Sequence, residues 1–442
     1  MEKRSYLKEF TNYTFLSVLG TLGVSCYILA DTFFISKGLG ANGLTALNLA
    51  IPVYNFIYGT GLMLGMGAAT RFSVCKSQKR QDEINRLYSN TIFISLIFSV
   101  IYMLLGVFFS KDIASLLGAD TSVLELTNTY LYWLMLFAPS FILNNVFLCF
   151  VRNDGSPHLA MAAMLIGSFS NIILDYVFIF PMNMGIFGAI FATGLSPIIS
   201  ILIMLPHWIK KKNTFHFIWT SLRFYIFKQD VALGFPSLVS QVSGGIVMIV
   251  FNMIILGLAG NTGVAAYGVV ANISLVIIAI YTGIGQGIQP LVSTFYGKGE
   301  KYMARKMLNY AMITMLILSF VIYTCIYLFA DPITSVFNSE NNMALQEIAV
   351  TGLKIYFIAS PFIGYNIILS TFFTSVERAI PAYVLSLLRG FILIIPFAFL
   401  LSALWSMTGV WMTYPVAEFL TTVIGVILYE RIKRKEIVHL EN

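Results

Sequence analysis

The sequence predicts an all-α integral membrane protein, with twelve transmembrane helices in two pseudo-symmetric six-helix bundles. Long apolar stretches, a one-sided distribution of basic residues and an internal repeat all indicate this architecture. Of the 442 residues, 58% are hydrophobic and only 11% are charged, and the mean hydropathy is +0.83. A soluble chain of this length would carry far more charge, so we expect the helices to cross a lipid bilayer.

Twelve apolar stretches are long enough to span a bilayer, which takes about 20 residues of helix. Several exceed that minimum, which allows the helices to tilt or to extend past the lipid. We place the spans at residues 12–36, 45–71, 89–110, 127–151, 158–181, 186–208, 231–258, 264–293, 307–330, 346–373, 380–403 and 407–430.

The basic residues predict the orientation of these spans. If the N-terminus is inside, only Lys37, Lys111 and Lys354 lie in outer segments, and Arg389 lies within a span. The other Lys and Arg residues fall in the tails and the inner loops, as the positive-inside rule requires. We therefore expect both termini in the cytoplasm. Because the basic residues recur in short clusters between apolar stretches, we expect no nucleic-acid partner.

The two halves of the chain resemble each other. Residues 40–46 read GANGLTA and residues 260–266 read GNTGVAA, and several single residues match at an offset of 222. The matched pairs are Gly61 with Gly283, Gly65 with Gly287, Lys76 with Lys298, Pro139 with Pro361, and Asn144 with Asn366. We expect an N-terminal bundle (residues 1–208), a cytoplasmic linker (209–229) and a C-terminal bundle (230–442). Parallel repeats of this kind are typical of transporters whose bundles rock about a central site.

Ionisable residues inside spans are costly, and those that occur usually face a cavity and have a function. Asp31 lies nine residues before the outer turn at Gly40, and Asp175 lies nine residues before the outer turn near Met184. Thr193 lies nine residues after that second turn, so all three sit roughly 13 Å deep. Asn171 shares the helix face of Asp175, one turn deeper. We expect these four side chains to meet in one layer.

Such a layer can bind either of two ions. Two carboxylates in a poorly solvated place cannot both ionise at low cost, so the pair is expected to hold a proton. Alternatively, carboxylate, amide and hydroxyl oxygens suit a hard cation, here Na⁺ at Asp31, Asn171, Asp175 and Thr193. We expect no cofactor other than this coupling ion, and a cationic substrate could replace either ion.

Other polar residues are candidates for a substrate cavity. Arg389 and Glu418 lie at similar depths in spans 11 and 12, where a neutralising ion pair is the simpler interpretation. The remaining candidates are uncharged: Tyr54, Asn55, Gln241, Asn252, Asn272, Gln286, Gln289 and Tyr365. With 15% aromatic residues and 19 Met, such a cavity could hold flat lipophilic cations.

Several stretches resemble the multidrug and toxic compound extrusion (MATE) transporters, in particular the bacterial MepA-like, DinF-related branch. The resemblance covers nearly the whole chain. It is carried by twelve spans in two halves and by ADTFFISKGLG, ALNLAIPVYNF, GTGLMLGMGAATRFS, SNIILDYVFIF and GIFGAIFATG.

The resemblance implies an antiporter that exports organic cations while H⁺ or Na⁺ enters, by alternating access in the bacterial inner membrane. It also implies that Asp31, Asn171, Asp175 and Thr193 couple the ion.

The chain departs from the family pattern where Leu16 and Ser17 stand in place of a proline in span 1. Residues 370–374 contain no acid where some relatives carry one in span 10, and Arg389 is not a family feature.

Other functions remain open at this stage. A flippase for lipid-linked oligosaccharide, from the same superfamily, would need several cavity Arg or Lys to bind pyrophosphate, and only Arg389 qualifies. An enzyme is disfavoured because no paired His, HExxH, GxSxG or P-loop occurs in a suitable context. A channel is compatible with the spans alone, but the repeat and the acid pair favour a transporter. We expect a monomer whose partners are the bilayer and small molecules.

Overall fold

The computed structural model describes residues 6–338 and 341–441, with side chains up to residue 434, and all regular structure in these ranges is helical. The α-helices are α1 (Tyr6–Ser77), α2 (Gln81–Leu116), α3 (Leu124–Leu136), α4 (Ala138–Asn153), α5 (Pro157–Ile179), α6 (Gly185–Met204), α7 (Pro206–Ile209), α8 (Phe224–Gly297), α9 (Lys301–Phe337), α10 (Met343–Tyr356), α11 (Ser360–Ser375), α12 (Ala379–Leu387) and α13 (Ile394–Glu441). A short 3₁₀ helix (Phe357–Ala359) joins α10 to α11, and a π-helical turn (Leu388–Ile392) follows α12.

Three of the long helices are each broken into two arms, and α9 is kinked near its C-terminal end, at Phe329. The break in α1 is at Gly40, with φ of 66°, and the break in α8 is at Gly260, with φ of 62°. These are equivalent positions of the sequence repeat, and glycine adopts such left-handed angles at little cost. The arms fold back on each other, since residues on either side of Gly40 touch: the Tyr27 and Tyr54 hydroxyls are 2.7 Å apart. The third break, in α13, is at Trp405 and Ser406.

The number of spans follows from these breaks. Eight segments of the described residues are long and apolar enough to cross a membrane, and α3 with α4 forms one further span, bent by 47°. The breaks in α1, α8 and α13 each divide one of the eight segments in two, which gives twelve spans. The predicted all-α fold with twelve spans is confirmed.

We name the two ends of the molecule after the segments that lie at each end. The linker face carries residues 210–223, and the turn face carries Gly40 and Gly260. Residues 210–223 of the predicted linker (209–229) are not helical. Because α7 ends at Ile209 and α8 begins at Phe224, both ends of the predicted linker are helical. The linker docks on α2, where the Ser89 hydroxyl and the Asn90 side-chain oxygen each accept a backbone N–H from it at 2.8 Å.

Asp154, in the turn between α4 and α5, organises the linker face. Its carboxylate is bound by His207 Nε2 at 2.9 Å, by the Thr214 N–H at 2.8 Å and by the Lys76 ammonium group. Burial alone would raise the pKa of Asp154, but hydrogen bonds from His207, Lys76 and Thr214 outweigh burial and lower it. The ionised form of Asp154 therefore joins the linker to α1 and to the α4–α5 turn.

The two halves meet from the middle of the long helices to the linker face. A Cβ on Gly234 of α8 would lie 1.7 Å from the carbonyl oxygen of Met63 on α1, so the backbones touch there. Nearer the linker face, the Gln289 side chain accepts a hydrogen bond from Asn153 at 2.8 Å and donates one to Thr70 at 3.2 Å. Gln289 therefore bridges the halves rather than lining a cavity.

Candidate functional site

The two acids of the first half lie against each other in the interior of that half. Asp31 comes from the first arm of α1 and Asp175 from α5, and their side-chain carboxyl groups are close enough to interact electrostatically. Asp31 is 6% exposed and Asp175 is 0% exposed. Small residues allow the close approach of the helices, because a Cβ on Gly23 would lie 2.7 Å from Leu165 of α5. The acids thus face protein rather than lipid.

The amide and hydroxyl expected beside the acids lie in the same buried region. Asn171, one turn before Asp175 on α5, is 0% exposed, and its Nδ2 donates to Thr193 Oγ1 on α6 at 3.4 Å. Thr193 in turn donates to the Ala189 carbonyl at 3.0 Å. The structure therefore brings together Asp31, Asn171, Asp175 and Thr193, and we call these four residues the acid layer.

Two tyrosines that the sequence analysis did not select adjoin the acid layer. Tyr130 of α3 is 3% exposed, interacts electrostatically with both acids and lies near Thr193. Tyr27, one turn before Asp31 on α1, interacts with Asp31 and shares a hydrogen bond with Tyr54. Tyr27 could have been found from its spacing to Asp31, but the sequence contains no signal that separates Tyr130 from the other 22 tyrosines.

The oxygen atoms of the acid layer are under-satisfied. Oδ1 of Asp31, both Oδ atoms of Asp175 and Oδ1 of Asn171 are buried without a hydrogen-bond donor among the described residues. Buried acceptors without donors are costly, and a shared proton or a bound cation removes that cost. No group of three or more His, Cys, Asp or Glu suited to a metal occurs in the described ranges. A cation here would therefore use two carboxyl groups with amide and hydroxyl oxygens.

The uncharged cavity candidates occupy different environments. Asn55 and Gln241 lie where α1 meets α8, since a Cβ on Gly245 would lie 2.9 Å from Asn55 Nδ2 and one on Gly59 would lie 3.2 Å from the Cβ of Gln241. Tyr54 points into the first half, towards Tyr27. The other candidates are half-buried in the second half: Asn252, Asn272, Gln286 and Tyr365.

Arg389 and Glu418 contact each other in the second half. The Arg389 Nε and Nη2 atoms lie 3.1 and 2.9 Å from Glu418 Oε1, and Asn366 Nδ2 donates to Glu418 Oε2 at 2.6 Å. Arg389 sits in the π-helical turn that follows α12, and Glu418 is 1% exposed. Both carboxylate oxygens of Glu418 thus have donors, unlike those of Asp175.

Comparison with known proteins identifies the family. The MatE family model matches residues 17–177 and again residues 236–400, one segment in each half. Together these segments cover most of the chain.

Individual relatives agree with this result. The chain is 25% identical over 422 residues to a multidrug export protein MepA of Staphylococcus saprophyticus, covering 94% of this chain and 92% of that protein. It is 24% identical over 434 residues to the MepA protein of Staphylococcus aureus, covering 97% and 94%.

Solved structures agree in fold. An outward-facing multidrug resistance MATE family transporter superimposes with a TM-score of 0.90 at 22% identity, covering 98% of this chain and 96% of that one. A MOP superfamily transporter from Pyrococcus furiosus, described as having a binding pocket of reversed polarity, gives a TM-score of 0.89 at 23% identity, covering 96% and 95%. The chain belongs to the MatE family of membrane transporters.

Proposed function

We propose that the protein exports small lipophilic cations in exchange for H⁺ or Na⁺ by alternating access. The observation that carries the proposal is the acid layer, in which two adjoining buried carboxyl groups have no counter-charge among the residues that the structure describes. The positive charge bound by these two acids should stay constant. Binding a cationic substrate there therefore favours release of the coupling cation. The relatives named as multidrug export proteins support the class of substrate.

The moving parts are the two halves, residues 1–208 and 230–442, with 209–229 as the linker between them. The closed contact from the middle of the molecule to the linker face is one of two alternating arrangements. The linker face is cytoplasmic, because it carries the basic linker and the positive-inside rule assigns that side to the cytoplasm. In this proposal a monomer in the bacterial plasma membrane, with both termini inside, exposes its substrate site towards the turn face.

Each residue of the acid layer has a role in the proposal. Asp31 and Asp175 carry the exchangeable charge. Asn171 and Thr193 supply neutral oxygens that orient the acids or complete the coordination of Na⁺. Arg389 and Glu418 neutralise each other and stabilise the second half.

Dye efflux from proteoliposomes tests this function. A fluorescent lipophilic cation such as ethidium is loaded, and either a pH gradient or a sodium gradient is imposed in the opposite direction. We expect one of the two gradients to drive the dye against its own gradient, and that gradient identifies the coupling ion.

The matched variants are Asp175→Asn, which removes charge from the acid layer, and Glu125→Gln, which changes an exposed acid near the turn face. Asp175→Asn should stop gradient-driven efflux while the protein still folds, and Glu125→Gln should leave efflux unchanged. Efflux that neither gradient drives, or full efflux by Asp175→Asn, would refute the proposal.

A further inference from the structure

A third buried acid, Asp230, lies outside the acid layer, where the two halves meet near the linker face. It belongs to the first arm of α8 and is 0% exposed. Its backbone presses against α1, because a Cβ on Gly67 would lie 2.0 Å from the Asp230 carbonyl oxygen. The same contact continues one turn along, at Gly234 and Met63. An acid of the second half is thus enclosed by helices of the first half.

The side chain of Asp230 is only half satisfied. Its Oδ2 accepts a hydrogen bond from Thr91 Oγ1 of α2 at 3.0 Å, and its Oδ1 is buried without a partner among the described residues. The charged group that acts on it is Arg71 of α1, one turn from Gly67. The Arg71 guanidinium lies over the Tyr225 ring, 5.5 Å from its centroid, and its Nη1 is itself buried with no hydrogen-bond partner in the described ranges.

These contacts make the charge state of Asp230 depend on the arrangement of the halves. An ionised carboxylate with an unpaired oxygen is costly in a dry helix contact, whereas the neutral acid costs much less. If the halves part at the linker face, Asp230 meets water and ionises as an ordinary aspartic acid does. Closure therefore favours protonation, and by linkage protonation favours closure.

We propose that Asp230 is a second proton-binding site, which takes up a proton from the linker-face compartment as the halves close there. The inference rests on the proposed alternating access, because it requires the halves to separate at this face. The proton enters when the face closes and returns to the same compartment when the face opens. It therefore adds nothing to net transport, but it makes closure depend on the pH of that compartment.

A distance measurement between spin labels tests the site directly. Lys79 and Lys301 are exposed on the linker face, one in each half, so Lys79→Cys and Lys301→Cys report its opening in a full-length chain without the four native cysteines. The Asp31→Asn and Asp175→Asn substitutions are included so that the acid layer does not titrate. We expect the closed-to-open ratio to fall as pH rises, by up to about tenfold per pH unit for one linked proton.

Two variants decide the result. Asp230→Asn should abolish the pH dependence and remain closed, while Asp82→Asn, an exposed acid on the same face, should keep the full slope. An unchanged slope in Asp230→Asn would overturn the inference. So would an open face at every pH, because that result would mean that the ionised Asp230, attracted by Arg71, holds the halves together.

Arg71→Gln provides a second test of the same inference if Asp230→Asn does not fold. Removing the positive charge makes ionised Asp230 more costly in the closed arrangement, so the total fall of the closed-to-open ratio between low and high pH should be larger than with Arg71. A total fall that stays the same or shrinks contradicts the inference. Dye efflux that fails while this titration persists would refute the proposed export and leave the proton site standing.

Discussion

The two halves of the molecule surround their buried acids in opposite ways. In the first half, Asp31 and Asp175 adjoin each other, and three of their four carboxyl oxygens have no donor among the described residues. In the second half, Glu418 binds Arg389 and Asn366 through both of its oxygens. The repeat has thus produced two bundles of the same fold with different electrostatics.

This difference separates a site that can exchange an ion from one that cannot. A carboxylate whose charge is met by a fixed guanidinium gains nothing from a proton, and releasing its partner leaves an unpaired buried charge. A carboxyl pair without a fixed counter-charge needs a mobile one. We therefore propose that ion exchange takes place in the first half and that the ion pair of the second half has a structural role.

The largest effect is expected at Asp175. Asp175→Asn removes the exchangeable charge but preserves the shape of the side chain, so gradient-driven dye efflux should fall to the level of protein-free liposomes. The thermal unfolding midpoint should change little, since an amide is less costly than an unpaired carboxyl at this site. Efflux assays with unfolding scans on the same preparation check both statements, and retained efflux would place the exchange site elsewhere.

The next effect is on stability, at the ion pair of the second half. Glu418→Leu leaves Arg389 buried without its partner and should cost about 3–5 kcal/mol of unfolding free energy. The double variant Arg389→Met with Glu418→Leu should recover most of that loss, because no unpaired charge remains. Denaturation of both variants in detergent tests the pair, and a double variant as unstable as the single one would contradict a merely neutralising role.

A smaller effect is expected at Tyr130, which adjoins the acid layer. Tyr130→Phe removes the buried hydroxyl that interacts with both acids, and losing this polar contact should cost about 1 kcal/mol, or about fivefold in efflux rate. The pH profile of efflux should shift as well, because the hydroxyl acts electrostatically on both acids. Tyr132→Phe, on the same helix, is the matched control and should behave as the unchanged protein. An unshifted profile in Tyr130→Phe would reduce Tyr130 to a packing role.

The smallest effect concerns Asp154, a fully partnered acid outside the spans. Its pKa is lowered in the folded protein, so its contribution to linker docking is complete above the ordinary range near 4 and is lost as pH falls through the lowered value. Hydrogen exchange at the Thr214 and Ile218 amides should therefore stay constant between about pH 5 and about pH 8, after correction for the intrinsic rate. Asp154→Asn should loosen both amides across that whole range, and unchanged protection in that variant would contradict the assignment.

The layout of the first half could be predicted because two turns fix the depth of its polar residues. Counting from Gly40 and from the turn near Met184 was enough to place Asp31, Asn171, Asp175 and Thr193 at one level. Helical spacing then gave the face of α5. The broken α1 and α8 helices were likewise predicted as pairs of spans by their glycine-containing turns.

What could not be predicted depends on contacts between distant parts of the chain. Tyr130 joins the acid layer only because α3 packs beside α6. Asp230 follows a basic linker and reads as a helix-start residue, yet its burial is set by Gly67, more than 160 residues away in the chain. Gln289 looks like a cavity residue, but its position is decided by Asn153 and Thr70 in the other half.

Ion release on substrate binding tests the central claim most directly. Purified protein in weakly buffered detergent solution is mixed with a dye cation, while a pH indicator and a sodium electrode record what is released. Binding should release protons or Na⁺ from the unchanged protein and from Glu125→Gln, and neither ion from Asp31→Asn with Asp175→Asn. Dye binding without release of either ion, or equal release from the double variant, would contradict the account.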